Sequence, residues 1–298
     1  MHPPRSPERE GVRVRMRIWP AAAAVLLATQ ATPALAERDP NSGAPLPPVK
    51  RAPPSPITDH FYIRASFYDP QLRTNLRLDP TAPPGALGTP VNAENDLGLP
   101  GRLPKGWVEF MFRLRERNKV RVDYFESDRS GNKVLTRDVV FGNEIFAAGD
   151  LAQTSLDWQQ FDITYTYSFI RNSHFEVGSG LAAYFLDVDT IGYVPSTFQR
   201  QEETAATPIP ALPLDLTWAI SSRWAATARG AYLRAHLIGF NGWYADTHED
   251  LQYRWNSNFS LGVGYSSIRA SLTRRGSNFS GEFYMSISGP EAFVRLSF

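Results

Sequence analysis

The chain has 298 residues, with 31 Lys and Arg against 30 Asp and Glu, no cysteine, and 12% aromatics. The absence of cysteine excludes disulfides and thiolate metal or redox sites, and the near-neutral charge without a polybasic face argues against a nucleic-acid partner. After residue 36 no apolar run reaches 18 residues, which excludes membrane-crossing helices and leaves strands open.

Residues 1–36 read as a secretion signal. Met16-Arg17 begins a short basic region, Ala21 to Ala31 is small and apolar, and Ala34-Leu35-Ala36 matches the small-x-small pattern that precedes cleavage. Met16 is a plausible start, which makes residues 1–15, rich in Arg and Pro, an upstream extension. No Arg-Arg pair supports a twin-arginine route. Removing this segment takes five Arg and two Glu and leaves 26 basic and 28 acidic residues. Residues 37–56 hold seven prolines without apolar periodicity, as expected of an extended periplasmic linker.

From residue 57 to 298 a period of two dominates. Phe61, Ile63, Ala65 and Phe67 alternate with Tyr62, Arg64, Ser66 and Tyr68, and the same alternation recurs at 106–116, 151–169, 208–220 and 247–273. No convincing 3.6-residue period appears. The segments 58–68, 88–97, 106–116, 119–127, 133–142, 151–169, 173–189, 208–220, 222–238, 247–256, 258–273 and 279–298 predict twelve strands. A soluble sandwich would bury the apolar rows between two sheets; a membrane barrel turns them to lipid and encloses the charges. Aromatics gathered near segment ends (Tyr165, Tyr167, Phe169; Trp218, Trp224; Tyr253, Trp255) suit interfacial girdles. The expectation is an all-β, transmembrane, antiparallel up-and-down β-barrel of about 12 strands, with 10 or 14 as alternatives. Short turns at 171–173, 221–223 and 256–258 belong on the periplasmic side and longer connections at 190–207 and 239–246 outside. Arg117-Asn118 is tight for an outside loop. Two apparent changes of face, between Tyr265 and Ile268 and at Gly289-Pro290, predict β-bulges.

The last strand ends in alternating Ala292, Val294, Leu296 and the terminal Phe298. It resembles the C-terminal signal by which barrel-assembly machinery recognises bacterial outer-membrane barrels, although Phe293 stands where such endings often carry glycine. Gly88–Leu99 and Arg121–Gly131 are similar to segments of functionally uncharacterised Gram-negative outer-membrane barrels. That resemblance implies the bacterial outer membrane as location and its lipid as partner, and implies no activity.

Parity gives a lumen-lining set of Arg64, Glu109, Arg113, Arg115, Arg121, Asp123, Asp162, Glu176, Arg229, Arg254, Arg269, Glu282 and Arg295. Two readings compete: a narrow, Arg-rich aqueous passage for a small solute, or an ion-pair network that plugs a structural barrel. A third function class is an outer-membrane hydrolase with its site at the 239–250 rim, where Asp246, His248, Glu249 and Asp250 cluster; a solvated acidic loop is the better reading there. A fourth is a soluble, secreted binding sandwich. Ser173-His174 points its two side chains to opposite faces, and Glu94 with Asp96 lacks the ligand density of a calcium loop. No catalytic residue, metal or cofactor is assigned, and an enzyme is the less favoured reading.

Overall fold

A computed structural model describes residues 55–83, 85–194, 199–237, 240–276 and 280–298; for 199–208, 237 and 240 only the backbone is described. The signal and all but the last two residues of the Pro-rich linker lie outside the described residues.

The elements in chain order are β1 (Phe61–Tyr68), β2 (Gln71–Asp79), β3 (Val91–Asn92), α1 (Ala93–Leu97), β4 (Lys105–Arg115), β5 (Asn118–Val134) and the small hairpin β6 (Val139–Phe141) and β7 (Glu144–Phe146). The rest are β8 (Leu151–Arg171), β9 (Phe175–Val194), β10 (Gln199–Ala219), β11 (Trp224–Leu237), β12 (Phe240–Arg254), β13 (Phe259–Arg275) and β14 (Ser280–Ser297). Antiparallel pairing runs β1, β4, β5, β8, β9, β10, β11, β12, β13, β14, and β14 pairs back to β1 (Tyr62 opposite Ser297). Ten strands therefore close a ring. β2 pairs with the upper part of β14 (Ser288 opposite Gln71) and carries β3, so it extends the wall above β1. Closure leaves no unpaired edge in the ring.

Twelve predicted strands become ten because two segments do other work. Residues 88–97 form only the two-residue β3 and α1. The Asn92 side chain accepts the Asn95 N–H at 2.7 Å at the helix start, and Gly98, at φ 73°, ends the helix in the left-handed region. Local capping, which period counting does not see, decides this segment. Residues 133–142 are the end of β5 and the start of the β6–β7 hairpin. With ten strands the Arg117 turn joins the short turns after β8, β10 and β12 at one end of the barrel, and its tightness is no longer anomalous. The expected long connections at 190–207 and 239–246 are mostly strand: β9 pairs with β10 up to Val194 opposite Gln199, and β11 with β12 up to Leu237 opposite Phe240. The long excursions are instead 80–104 and 135–150. They pack as a cap around Val91, Leu135, Val139 and Phe146, and around Leu76, Ala93, Leu99 and Leu156.

The two expected bulges are absent. β13 and β14 keep one register from Phe259 opposite Leu296 to Arg275 opposite Ser280. Register shifts occur instead at Arg113/Arg115 and Ser168/Ile170, near the short turns. The apparent change of face has another cause: the inward row changes character along the barrel. On β14 the same inward parity runs through Arg295, Phe293 and Glu291 and then Ile287 and Met285, all buried. On β12 it runs through Arg254, Asp250, His248 and Asp246 and then Tyr244. The interior thus has two storeys. Toward the short turns it is charged; toward the cap it is an apolar core of Tyr68, Trp107, Phe125, Trp158, Tyr184, Tyr244, Ile268, Met285 and Ile287. Trp107, Phe125 and Tyr68 pack edge-on or tilted with centroids 5.1–5.8 Å apart. Each large side chain buried there contributes about 1.5–3 kcal/mol.

The outward rows are apolar and exposed. Leu212, Leu214, Leu216 and Trp218 on β10, Phe161, Ile163 and Tyr165 on β8, Leu261 and Val263 on β13, and Leu296 and Phe298 at the C-terminus are 39–70% exposed.

Candidate functional site in the barrel interior

The charged storey is assembled by parity from nine of the ten ring strands. Closest to the short turns, Asp59, just before β1, accepts from Arg254 and Arg295, each at 2.6 Å through one carboxylate oxygen. Arg113 holds Glu176 by two hydrogen bonds, at 2.7 and 3.0 Å, and the Ser168 hydroxyl donates to the same carboxylate at 2.6 Å. Lys119 stands between Glu176 and Asp215, at 3.6 and 3.8 Å, and Arg121 reaches Asp215 at 3.2 Å. A cavity of about 40 Å³ lies among Arg113, Lys119, Arg121, Glu176, Asp215 and Arg229, room for a few waters.

Further toward the cap, Arg229 pairs with Glu109 at 2.5 Å, and the Tyr62 hydroxyl donates to Glu109. Arg64 forks between Asp250 at 2.7 Å and Glu291 at 2.6 Å, with its guanidinium 3.6 Å above the Phe293 ring. Phe293 in turn lies flat on Gly262, where an added Cβ would stand 2.2 Å from the ring. That is why an aromatic replaces glycine at this position: the strand opposite supplies the glycine. Two hydrogen bonds then rise from Glu291 through Ser266 (3.0 Å) to His248 Nδ1 (2.8 Å), and His248 Nε2 stands 3.1 Å from an Asp246 carboxylate oxygen that has no hydrogen-bond partner among the described residues. Trp107 packs edge-to-face against the His248 ring at 4.6 Å and donates to Asp123 at 3.2 Å.

Of the sequence-derived lumen set, Arg64, Glu109, Arg113, Asp123, Asp162, Glu176, Arg229, Arg254 and Arg295 are inward and buried, and Arg121 is inward and nearly so. Arg115, Arg269 and Glu282 are exposed. Arg115 follows the register shift at the end of β4. Arg269 has outward parity because no bulge precedes it, and Glu282 lies above the ring, paired with Arg77 at 2.9 Å. Parity reasoning omitted Lys119, Asp246, Asp250 and Glu291, although each shares the face of an accepted neighbour, Arg121, Arg254 or Arg295, and it omitted Asp215 on β10, a strand that contributed no residue to the set. Asp59 lies before the first strand and gave no periodic signal. With these residues included, the wall carries nine carboxylates against seven Arg and Lys side chains, so it is not Arg-rich.

The 239–250 segment is not a rim. Its described residues, 240–250, form the cap-side part of β12, and Asp246, His248 and Asp250 point inward with 4–7% exposure, while Glu249 points outward and is exposed. Ser266, His248 and Asp246 have the order of a nucleophile, base and orienting acid. Ser266 is fully buried, however, and its hydroxyl also faces Glu291, so the arrangement leaves a reacting carbonyl no space. What it does is give the buried Glu291 and His248 side chains a shared partner in the Ser266 hydroxyl. Ser173 and His174 sit at an exposed turn, with the hydroxyl 2.9 Å from Nδ1. Glu94 and Asp96 are engaged by the protein itself: Glu94 accepts from the Thr74 N–H at 2.9 Å and Arg129 at 2.6 Å, and Asp96 accepts from the Asn92 N–H at 2.9 Å.

No family model matches the chain, and no curated protein matches it. Among solved structures it is similar to the outer membrane protease OmpT from Escherichia coli, at 12% identity and a TM-score of 0.48, over 80% of this chain and 97% of that one. It is also similar to the translocator domain of autotransporter NalP from Neisseria meningitidis, at 10% identity and TM-score 0.38, over 79% and 88% of the two chains. The toluene transporter TodX from P. putida matches at 9% identity and TM-score 0.29, over 80% and 90%. Each TM-score is below 0.5, so the functional reading rests on the chain's own residues.

Proposed function

We propose that this chain is a bacterial outer-membrane β-barrel whose lumen is sealed by its own side chains, a membrane-anchored protein that presents its outer wall and cap and does not pass solutes. Two features support the membrane reading. The first is the closed ring of ten strands with continuous rows of exposed Leu, Phe, Val and Trp, a surface far larger than the apolar patches monomeric soluble proteins carry. The second is its dimension. From Leu212 on β10 to Ile220 just beyond it, the outward apolar row, tilted as barrel strands are, spans roughly 20 Å.

The observation that carries the sealed reading is the burial of the inner wall. In an aqueous pore the inward residues would be wet, yet Glu109 and Glu176 are 1% exposed and Arg64 5%. Above them the aromatic storey, with Trp158 and Phe125 at 1%, closes the section again. A ten-strand ring stands close to the eight-strand case in which side chains fill the interior. The plugged barrel therefore replaces the small-solute channel as the preferred reading, and the hydrolase reading loses its rim site. Planar-bilayer recording on the refolded protein tests this: a flat current is expected, and reproducible single-channel steps would overturn the sealed reading.

A further inference from the structure

Most charges on the ring are paired inside, so unpaired charges on its outer wall stand out. Arg73 on β2 and Arg269 on β13 both face outward and are exposed, and neither has a partner among the described residues. They flank one residue of β14: Ser286 is opposite Arg73 on one side and Arg269 on the other. The two guanidinium-bearing strands are thus two strand spacings apart, about 10 Å. The next row toward the cap places Tyr284 opposite Ser271, and Ser271 opposite Trp243. The row toward the short turns is the last before Tyr265 and Val263 begin the apolar face.

The height is informative. Arg269 is ten residues along β13 from Phe259, which at the usual strand rise and tilt is about 25 Å, the height of a barrel's apolar band. Arg73 and Arg269 therefore stand at the cap-side edge of that band, where an Arg stem can lie on apolar wall and its head reach the polar layer. Tyr284 and Trp243 are the amphipathic rings that favour this level. On the opposite arc of the ring the outward residues at the cap-side end are acidic: Asp128 is opposite Asp157, and Asp157 opposite Asp189.

We propose that Arg73 and Arg269, with Ser286 between them, hold the phosphate of a bilayer-lipid headgroup against the outside of the barrel. A guanidinium matches a phosphate with two parallel hydrogen bonds, a hydroxyl supplies a further donor, and the acyl chains would lie along the Val263 and Tyr265 face. This rests on the membrane reading above.

The test uses the full mature chain folded in detergent, with bis-phosphorylated lipid A and the same lipid stripped of phosphate as probes, read by native mass spectrometry. Wild type should retain the phosphorylated lipid and release the stripped one. Arg73→Gln and Arg269→Gln should each weaken retention about fivefold and the double variant roughly thirtyfold, as for two surface cations acting on lipid charge. Arg115→Gln, an exposed arginine at the other end, should change nothing. Equal retention of both lipids, or an unaffected double variant, would overturn the site, and displacement by millimolar inorganic phosphate would make it a free-anion site instead. Heat-modifiable gel migration and membrane fractionation of the same samples report the barrel reading separately. If both hold while lipid discrimination is absent, only the headgroup site fails.

Discussion

Replacing Arg64 with methionine removes the cation that two buried carboxylates share. Arg64 is held at 2.7 Å by Asp250 and 2.6 Å by Glu291, with side-chain exposures of 6%, 2% and 2%. Removing one member of such a set leaves uncompensated buried charge, which costs about 3–5 kcal/mol. The guanidinium over Phe293 adds about 0.5–2 kcal/mol, not fully additive. Arg64→Met should therefore lower stability by about 4 kcal/mol, close to a thousandfold in the unfolding equilibrium. The triple variant Arg64→Met, Glu291→Gln, Asp250→Asn removes charge and partners together and should recover most of that loss. Guanidinium unfolding in lipid vesicles, followed by tryptophan fluorescence, measures both. A loss under about 1 kcal/mol for the single variant, or a triple no more stable than the single, would refute the claim that this network is dry and mutually dependent.

The same contacts set further expectations. Gly180→Ala places a Cβ 2.1 Å from the Tyr165 carbonyl oxygen, whereas Gly106 has nothing within 4 Å; the first should cost about 1–3 kcal/mol and Gly106→Ala almost nothing, measured in the same unfolding assay. Ser266→Ala deletes the link between His248 and Glu291 and should cost about 1–3 kcal/mol without abolishing any hydrolysis the protein shows, so loss of an esterase or peptidase activity with stability intact would restore a catalytic reading. Glu94→Ala frees Arg129, whose side chain has no exposure, and the Thr74 N–H; limited proteolysis should then cut within 80–104 well before the ring opens.

The outer face was legible in the sequence because one physical rule governs it from end to end: residues such as Leu212, Leu214 and Leu216 keep a single parity and a single chemistry. The inner face obeys two rules. Where Ile268 and Ala270 replace Gly262 and Gly264 on the same inward parity, an apolar row enters the interior, and alternation alone reads this as a strand that has turned over. That error carried Arg269 to the wrong side of the wall. The same reading left Asp246, His248 and Asp250 outside, since a polar run beside Glu249 looks like a loop when its pairing strands are unknown. Register with β11 and β13 is a long-range property, and it decides that Asp246 and His248 are enclosed. Twelve strands was preferred over the alternative of ten, the number in the ring, for a local reason: Asn92 and Gly98 cap a five-residue helix that is too short to leave a period. The long excursions were misplaced because the strands of the β9–β10 and β11–β12 hairpins continue beyond the apolar belt with polar residues.

The absence of cysteine permits the measurement that addresses a sealed interior inside a lipid-facing wall most directly. Single cysteines at Thr164 (inward, 1% exposed), Leu214 (outward, 57% exposed) and Arg115 (exposed, short-turn end) would be treated in vesicles with a membrane-impermeant maleimide and with a lipophilic thiol reagent. Arg115→Cys should react with the impermeant reagent in open or leaky vesicles, Leu214→Cys only with the lipophilic one, and Thr164→Cys with neither until the protein is unfolded. Rapid reaction of Thr164→Cys with the water-borne reagent would show an aqueous lumen, and reaction of Leu214→Cys with it would show a wall that faces water.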